Sequence, residues 1–407
     1  MRKKKLTLFS VYLTFFVDNL SWAIVFPIFA PYFLDPENPL FSPALSNATR
    51  MMLLGFFLTA FSLGQFLGAP VIGEYADRHG RKKALAVGVS FTLAGLILTA
   101  WSMQIGNLYL LFVGRLITGI FAGSTSVCLS CITDLSDSET SKMKNFGYLS
   151  MIAGVSFVFG AFVGGKLSDR TISASFTADL PIWLASGLTF VNLLFIFFGF
   201  RETSVVHPSV KFHFLEAFSH IKVALRTENI KRVYAIYFLF LFAWTIIFQF
   251  ISVLTVEKFS FTNSNIGDMA LFMGVCWALG SGYINKILIH RFHSLNVLEF
   301  CLVGFTILCG LIVVPDQIYG VMLILGLCVI LGGIAWPLCT SLISNTAPQQ
   351  MQGKILGMSQ SIQSFAMTTA PLVGGLAFRV SLGLPFLIAA AICLSAALIY
   401  YFTLKSR

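Results

Sequence analysis

Gly73-Glu74-Tyr75-Ala76-Asp77-Arg78-His79-Gly80-Arg81-Lys82-Lys83 is a dense polar turn between two long apolar runs. The run before it covers about 51–74 and the run after it about 84–103. Each is close to the roughly 20 residues that a membrane-spanning helix needs. The turn combines one aspartate, a glycine and a cluster of basic side chains, so we expect it to lie at a membrane edge and to join two spanning helices.

The composition indicates a membrane protein. Hydrophobic residues make up 57% of the 407 residues and charged residues only 11%, whereas soluble domains carry about 25% charged residues. The mean hydropathy is +0.84. Continuous apolar runs, without period-two alternation, predict helices rather than barrel strands. Twelve such runs are predicted, at about 6–33, 51–74, 84–103, 107–132, 146–168, 180–200, 231–256, 266–288, 295–314, 318–344, 355–378 and 383–404.

The distribution of positive charge sets the expected orientation. Of the 27 Lys and Arg residues, 21 lie in the two termini and in the loops that share their side of the membrane. The positive-inside rule then predicts cytoplasmic termini and a multi-pass protein of the cell (inner) membrane. This distribution argues against a nucleic-acid-binding patch despite the net charge of +10. The apolar run after Arg2–Lys5 is too long for a signal peptide, and we interpret it as the first span.

The chain is predicted to consist of two related halves. The most polar long stretch, 201–232, divides the runs six and six. Trp22–Phe26 in the first run parallels Trp244–Phe248 in the seventh, and Gly160–Gly165 parallels Ala370–Gly375, which indicates repeats of the same membrane orientation. We predict an N-terminal bundle over 1–200, a cytoplasmic central loop over 201–230 and a C-terminal bundle over 231–407.

The central loop carries apolar residues at helical spacing opposite Lys222 and Arg226. This pattern predicts an amphipathic helix on the inner leaflet. A partly ordered linker is the alternative.

Two ionisable residues inside the predicted spans are the strongest functional candidates. Asp18 lies in the first run and Arg115 in the fourth. A charged side chain at the bilayer centre costs about 2.5–3.5 kcal/mol or more, so neither is expected without a partner or a water-filled cavity. Our hypothesis is that Asp18 takes up and releases protons, while Arg115 modulates it or binds anionic cargo. A permanent structural ion pair is the alternative. Pro27 and Pro31 predict a bend beyond Asp18 in the same run.

Small residues recur every four positions in several runs. Arg115, Gly119 and Gly123 share one helical face, as do Ser156, Gly160 and Gly164. Such faces allow close helix packing. The residues expected to line a cavity are large aromatic or amide side chains, namely Trp22, Trp244, Gln249, Gln360 and Gln363.

These features resemble the major facilitator superfamily and, within it, the drug:proton antiporter branch, which includes tetracycline-efflux-like transporters. Seven positions match the family's signature loop between helices 2 and 3, six in the polar turn and one just after it: Gly73, Asp77, Arg78, Gly80, Arg81, Lys82 and Leu85. Asp18 followed by Pro27, and Arg115 followed by Gly119 and Gly123, are similar to further antiporter motifs. The resemblance implies an all-α integral membrane fold of twelve transmembrane helices in two six-helix pseudo-symmetric bundles.

The resemblance also implies roles for individual residues. Asp18 and Arg115 would couple transport to protons, and Gly73, Asp77, Arg78, Gly80, Arg81 and Lys82 would form a conformational latch. The resemblance gives the glycines of the fifth run the role of a helix-packing hinge, and the pattern of small residues extends this expectation to the fourth and eleventh runs; the glycines concerned are Gly119, Gly123, Gly154, Gly160, Gly164, Gly165, Gly374 and Gly375.

The leading prediction is a proton-coupled secondary transporter that exports a small organic molecule by rocker-switch alternating access. A uniporter or proton symporter that imports a nutrient is the alternative within the same class. We expect a monomer whose partners are its substrate, protons and the lipid bilayer. A non-transporting receptor is an alternative from another class.

An enzyme is not expected. The six histidines show no metal-ligand spacing, and the eight cysteines all lie within predicted spans, where they act as small apolar residues. No phosphate-binding glycine-lysine loop is present. The sequence therefore predicts neither a cofactor nor a metal site.

Overall fold

The computed structural model describes residues 2–42, 44–136, 138–203, 228–345 and 352–405, and every regular element in these ranges is helical. The predicted amphipathic helix of the central loop lies outside the described residues. The α-helices in chain order are α1 (Arg2–Ala23), α2 (Phe26–Leu34), α3 (Asn47–His79), α4 (Arg81–Gln104), α5 (Leu108–Phe121), α6 (Ser124–Leu135), α7 (Glu139–Leu167), α8 (Leu180–Gly199), α9 (Glu228–Phe259), α10 (Asn263–Ala278), α11 (Asn285–Arg291), α12 (Ser294–Leu311), α13 (Ile318–Asn345), α14 (Gln352–Phe378) and α15 (Leu384–Tyr400). Short π-helical segments follow α10, at Leu279–Ile284, and α15, at Tyr401–Lys405.

Eleven segments of the described chain are long and apolar enough to cross a membrane. They match eleven of the twelve predicted runs, which confirms an all-helical membrane protein. The remaining run, 355–378, corresponds to α14, which is not among the eleven. A twelfth crossing therefore stays a prediction.

Within the described residues, two spans are interrupted by a turn. The first span consists of α1 and α2, separated by a turn at Ile24 and Val25. Pro27 and Pro31 both lie in α2, and a proline in a helix removes a backbone hydrogen bond and clashes with the preceding turn. The predicted bend beyond Asp18 is thus confirmed. The fourth span is also interrupted, between α5 and α6, by a turn at Ala122 and Gly123.

The described helices belong to two compact units. The first unit comprises Met1–Leu45, Ala60–Glu216 and Phe261–Ala270, and the second comprises Ser46–Thr59, Ala217–Ser260 and Leu271–Arg407. Helices α3 and α10 therefore contribute residues to both units. The bundle boundaries expected from the sequence remain a prediction.

Each unit has its own apolar core. In the first unit, α1, α3, α4, α6 and α8 meet in a buried cluster that includes Val11, Ala76, Leu85, Cys128 and Ile196. This cluster spans the junction of α3 and α4, so it holds the polar turn on a rigid base. In the second unit α9 packs against α13, α14 and α15. Its apolar residues run around the whole helix, as expected for a helix that is buried on most sides.

Candidate functional site

Asp18 lies in α1 next to the start of α6. Ser124, the first residue of α6, donates its hydroxyl hydrogen bond to Asp18 Oδ2. Asp18 Oδ1 is buried and accepts no hydrogen bond from any described residue. The break between α5 and α6 places this serine, so the local fold gives one carboxylate oxygen a donor and leaves the other facing the interior.

Arg115 lies in α5 with only 3% of its surface exposed. Its guanidinium carbon is 4.6 Å from the ring centroid of Phe61 and 5.9 Å from that of Phe29. A cation held over an aromatic face is stabilised by the ring quadrupole, most strongly where water is excluded. Asp18 Oδ1 accepts no hydrogen bond from Arg115 or from any other described residue. A structural ion pair between the two residues stays the alternative interpretation.

Asp18 and Arg115 nevertheless line the same small cavity of the first unit. Its volume is about 20 Å³. The lining combines a few polar groups with apolar walls: Asp18, Ser21, Trp22, Phe61, Thr92, Leu96, Arg115, Thr118 and Ala122. The structure thus places Asp18 and Arg115, the two ionisable residues singled out in the sequence, in the wall of one cavity together with Trp22. This cavity is called the chamber below.

The polar turn between α3 and α4 is held by acidic residues of α3, of α6 and of the segment after α8. Arg81 Nη1 lies 2.6 Å from Asp77 Oδ1, and Arg81 Nε lies 3.3 Å from Asp134 Oδ2. Glu202 accepts hydrogen bonds from the backbone N–H groups of Arg81 and Lys82, at 2.8 and 3.1 Å. The carboxylate therefore caps the first turn of α4, where exposed N–H groups and the helix dipole favour a negative charge.

Gly80 is required by this arrangement for two reasons. Its φ of 94° lies in the left-handed region, which glycine adopts without the penalty of a Cβ. A Cβ at this position would also overlap the Glu202 carboxylate. Sequence reasoning identified Gly80, Asp77 and Arg81 but missed Asp134 and Glu202, which lie far away in the chain.

The remaining residues of the expected latch lie at the ends of α3 and α4 or within α3. Lys82 Nζ donates to the carbonyl of Phe197 at 2.8 Å. Arg78 is half-buried in the last turn of α3. A Cβ at Gly73 would meet no heavy atom within 4 Å, so close packing does not explain this glycine.

Seven of the eight glycines expected in helix packing lie at close approaches. A Cβ at any of these seven positions would meet the backbone or a ring of a neighbouring helix: Gly119 against Phe61, Gly123 against Ala69, Gly160 against Leu20, Gly164 against Ile24, Gly165 against Asn263, Gly374 against Phe250 and Gly375 against Gly55. Gly154 differs from the packing expectation. It is exposed, and a Cβ there would meet nothing within 4 Å.

The expected cavity-lining residues of the second unit are placed in different surroundings. Trp244 is 7% exposed, and its ring lies 5.0 Å from that of Trp277, so it belongs to an aromatic core. The hydroxyl of Tyr237 donates to Gln363 Oε1 at 3.4 Å. Gln360 is exposed and Gln249 is half-buried. These four residues do not share the chamber of Asp18.

A second polar cluster, at the end of α7 and the start of α10, was not identified from the sequence. Lys166 Nζ contacts Ser264 Oγ at 2.7 Å and Asp268 Oδ2 at 2.8 Å. Asn263 Nδ2 donates to Ser168 Oγ at 2.8 Å. Asp169 Oδ2 accepts from the backbone N–H of Ser264. The only signal in the sequence was a lysine at the end of an apolar run.

The pKa of Asp169 reflects this environment. Burial would raise it, but hydrogen bonds from Thr171, Thr262 and the backbone of Ser264 outweigh burial and hold the pKa below its usual value. Asp169 is therefore a stable anion at neutral pH. It lies at the N-terminal end of α10, where the helix dipole favours that charge.

Comparison with known proteins decides the family. The family model described as Major Facilitator Superfamily matches residues 11–298 and 283–407. The chain belongs to the major facilitator superfamily. It is 24% identical over 397 residues to multidrug resistance protein 2 of Bacillus subtilis, covering 94% of this chain and 92% of that protein. It is 26% identical over 363 residues to the class C tetracycline resistance protein of Escherichia coli, covering 84% of this chain and 86% of that protein.

Solved structures agree on the fold. The crystal structure of a D-xylose–proton symporter superposes with a TM-score of 0.75 at 15% identity, covering 97% of each chain. At this identity the likeness concerns the fold alone. Membership of the family, together with its curated relatives, makes this chain a multi-pass membrane transporter of small molecules and not an enzyme, as the sequence predicted.

Proposed function

We propose that this transporter exports a small organic molecule in exchange for protons by alternating access. The observation that supports the proposal best is the placement of Asp18. Its carboxylate lies inside a spanning segment, bound through Oδ2 to Ser124, on a cavity that Arg115 also lines. Ionisable groups inside spans are costly and are retained mainly for function.

The chemistry of the chamber suits a proton-binding site. A carboxylate in an apolar enclosure gains or loses a proton when its access to water or to a nearby cation changes. Moving one charge across the membrane releases about 2.3 kcal/mol per 100 mV. Proton entry can therefore drive cargo in the opposite direction without a nucleotide. The multidrug and tetracycline resistance relatives support export and a drug-like cargo.

The remaining site roles belong to the same proposal. Arg115 modulates Asp18 or binds anionic cargo, and the ion pairs of Arg81 with Asp77 and Asp134 form a latch that breaks in the other conformation. The glycine crossings act as hinges. The protein is a monomer of the cell (inner) membrane with both termini in the cytoplasm.

A proton symporter is the second candidate. The fold is shared with a D-xylose–proton symporter, and the same carboxylate could couple cargo and proton moving in one direction. Cargo direction therefore separates the two functions.

The test is transport by the purified full-length protein in liposomes with an imposed pH gradient, using tetracycline and ethidium as cargo. Asp18→Asn should abolish gradient-driven accumulation. Asp35→Asn, a matched change at an exposed loop residue, should leave it unchanged. Proton-driven transport at the normal rate in the Asp18→Asn variant, at equal incorporation, would exclude the proposed coupling role. Movement of cargo with the proton, rather than against it, would favour the symporter.

A further inference from the structure

The chamber beside Asp18 contains a second buried polar atom for which no partner is found. Thr92 lies in α4 with 6% of its surface exposed, and its hydroxyl makes no hydrogen bond to any described residue. Threonine hydroxyls inside helices commonly donate to a carbonyl of the preceding turn. Asp18 Oδ1 has no hydrogen-bond partner in the same part of the structure either. An acceptor and a donor thus remain unused on the walls of one cavity.

The other hydroxyls of this chamber are already engaged as donors. Ser21 donates to the carbonyl of Val17 at 2.7 Å. Thr118 donates to the carbonyl of Arg115 at 2.9 Å. Thr92 is therefore the hydroxyl in the described lining that has a hydrogen atom to offer to the chamber.

The chamber has room for a water molecule. About 10–15 Å³ of cavity volume is enough for one water, provided that it finds two to four polar partners. The volume here is about 20 Å³. Asp18 Oδ1 and the Thr92 hydroxyl supply two partners, and the guanidinium of Arg115 lines the same space. A buried polar atom without a hydrogen bond is destabilising, so a water that satisfies both atoms is favoured.

We propose that the chamber binds one water molecule, which donates to Asp18 Oδ1 and accepts from the Thr92 hydroxyl, so that Thr92 is a positioning residue for the proton-binding carboxylate. The inference rests on the proposed function, because it concerns how Asp18 holds and releases its proton. With Ser124 on Oδ2 and the water on Oδ1, both oxygens of the ionised carboxylate are solvated inside the unit.

Few other charged or titratable groups act on Asp18. Arg115 on α5 lines the chamber, and Cys128 on α6 is close enough to interact electrostatically. Helix α8, which packs against α1, contains no ionisable side chain. The charged residues of α7, which also packs against α1, lie towards the ends of that helix. A substitution at Thr92 should therefore change the titration of Asp18 without interference from other titrating groups on the helices that pack around it.

The experiment is a pH titration of the carboxyl stretching band by infrared difference spectroscopy, on the full-length protein in lipid nanodiscs and without cargo. The Asp18→Asn variant identifies the band of Asp18. Thr92→Val removes the hydroxyl with little change of shape, and Thr92→Ser restores it. Thr99→Val is the matched control, because Thr99 is buried on the same helix but donates to the carbonyl of Gly95 at 2.7 Å and does not line the chamber.

In Thr92→Val the titration midpoint of Asp18 should move to higher pH by about one unit, because the ionised carboxylate loses the hydrogen bond from the water. A shift of one unit corresponds to an increase of about tenfold in proton affinity. Thr92→Ser and Thr99→Val should titrate like the unmodified protein. Equal midpoints in Thr92→Val and Thr99→Val would overturn the water site while leaving Asp18 as the proton carrier. If Asp18→Asn removes no titrating band, the proposed function fails together with the water site.

Discussion

Asp169 Oδ2 accepts a hydrogen bond of 2.9 Å from the backbone N–H of Ser264, a residue 95 positions later in the chain. The carboxylate caps the first turn of α10 from the end of α7. The two helices also approach closely at Gly165, where a Cβ would lie 2.5 Å from the carbonyl oxygen of Asn263 and 2.9 Å from the Cα of Gly267. A hydrogen bond from a helix end to a carboxylate and close packing of two backbones thus stabilise the same contact between α7 and α10.

Replacing Asp169 by Asn should destabilise the protein by about 1–2 kcal/mol, because a buried charge-assisted hydrogen bond to a helix N-terminus is lost. The pKa of Asp169 is below its usual value, so its contribution is complete above the unfolded-state pKa and disappears as the pH falls through the folded-state pKa. Thermal unfolding in detergent should show a smaller loss of stability on acidification for the variant. Asp35→Asn, at an exposed residue whose carboxylate accepts locally from the N–H of Glu37, is the matched control for the loss of stability at neutral pH.

Gly165→Ala should be destabilising by about 1–3 kcal/mol, because the added methyl group meets backbone atoms that cannot rotate away. Gly154→Ala is the matched control in the same helix. A methyl group there meets nothing within 4 Å, and alanine is the better helix former by about 1 kcal/mol. Unfolding midpoints of the two variants should therefore move in opposite directions. Equal midpoints would show that the Gly165 contact is not tight in the membrane.

Glu202→Ala should loosen the beginning of α4. The loss of the two hydrogen bonds to the backbone of Arg81 and Lys82 should cost about 0.5–2 kcal/mol, the range for helix N-caps. Limited trypsin digestion should cleave more rapidly at Arg81–Lys83 in the variant. Glu37→Ala, at an exposed loop position, serves for comparison. Unchanged cleavage in Glu202→Ala would mean that the cap does not restrain this turn.

Arg115→Lys should reduce transport about tenfold or more although the charge is retained. The planar guanidinium lies 4.6 Å from the centroid of the Phe61 ring, whereas an ammonium group is more strongly hydrated and a poorer match to a dry aromatic site. Liposome transport of tetracycline or ethidium measures the effect. Arg170→Lys, at an exposed residue, should leave transport unaltered. Normal transport by Arg115→Lys would show that position 115 needs only a positive charge.

Much of the architecture could be predicted from the sequence because it depends on local composition. Eleven of the predicted apolar runs reappear as spanning segments with similar bounds, since a bilayer requires continuous apolar helices. The break after Asp18 followed from two prolines, and the importance of Gly80 followed from its place in a tight polar turn. Asp18 and Arg115 stood out because charges inside apolar runs are rare.

The partners of these residues could not be predicted in the same way. Ser124 and Thr92 are ordinary polar residues of apolar helices, and only the packing of α1, α4, α5 and α6 brings them to the chamber of Asp18. Glu202 and Asp134 likewise reach Arg81 across more than 50 positions of the chain. Gly154 was grouped with the packing glycines because spacing along one helix does not reveal whether a neighbour is present on that side.

The amino-acid order alone therefore determined that this chain is a helical membrane protein, where its helices run and which few side chains bear an unusual energetic cost. Each of these properties depends on residues within about one span of each other, interacting with lipid or with the neighbouring turn. The tertiary structure decided which atoms share a cavity, which carboxylates meet which helix ends and which glycines touch another backbone. Those contacts join residues that are distant in the chain, and distances of a few ångströms between packed helices are not encoded in any local pattern.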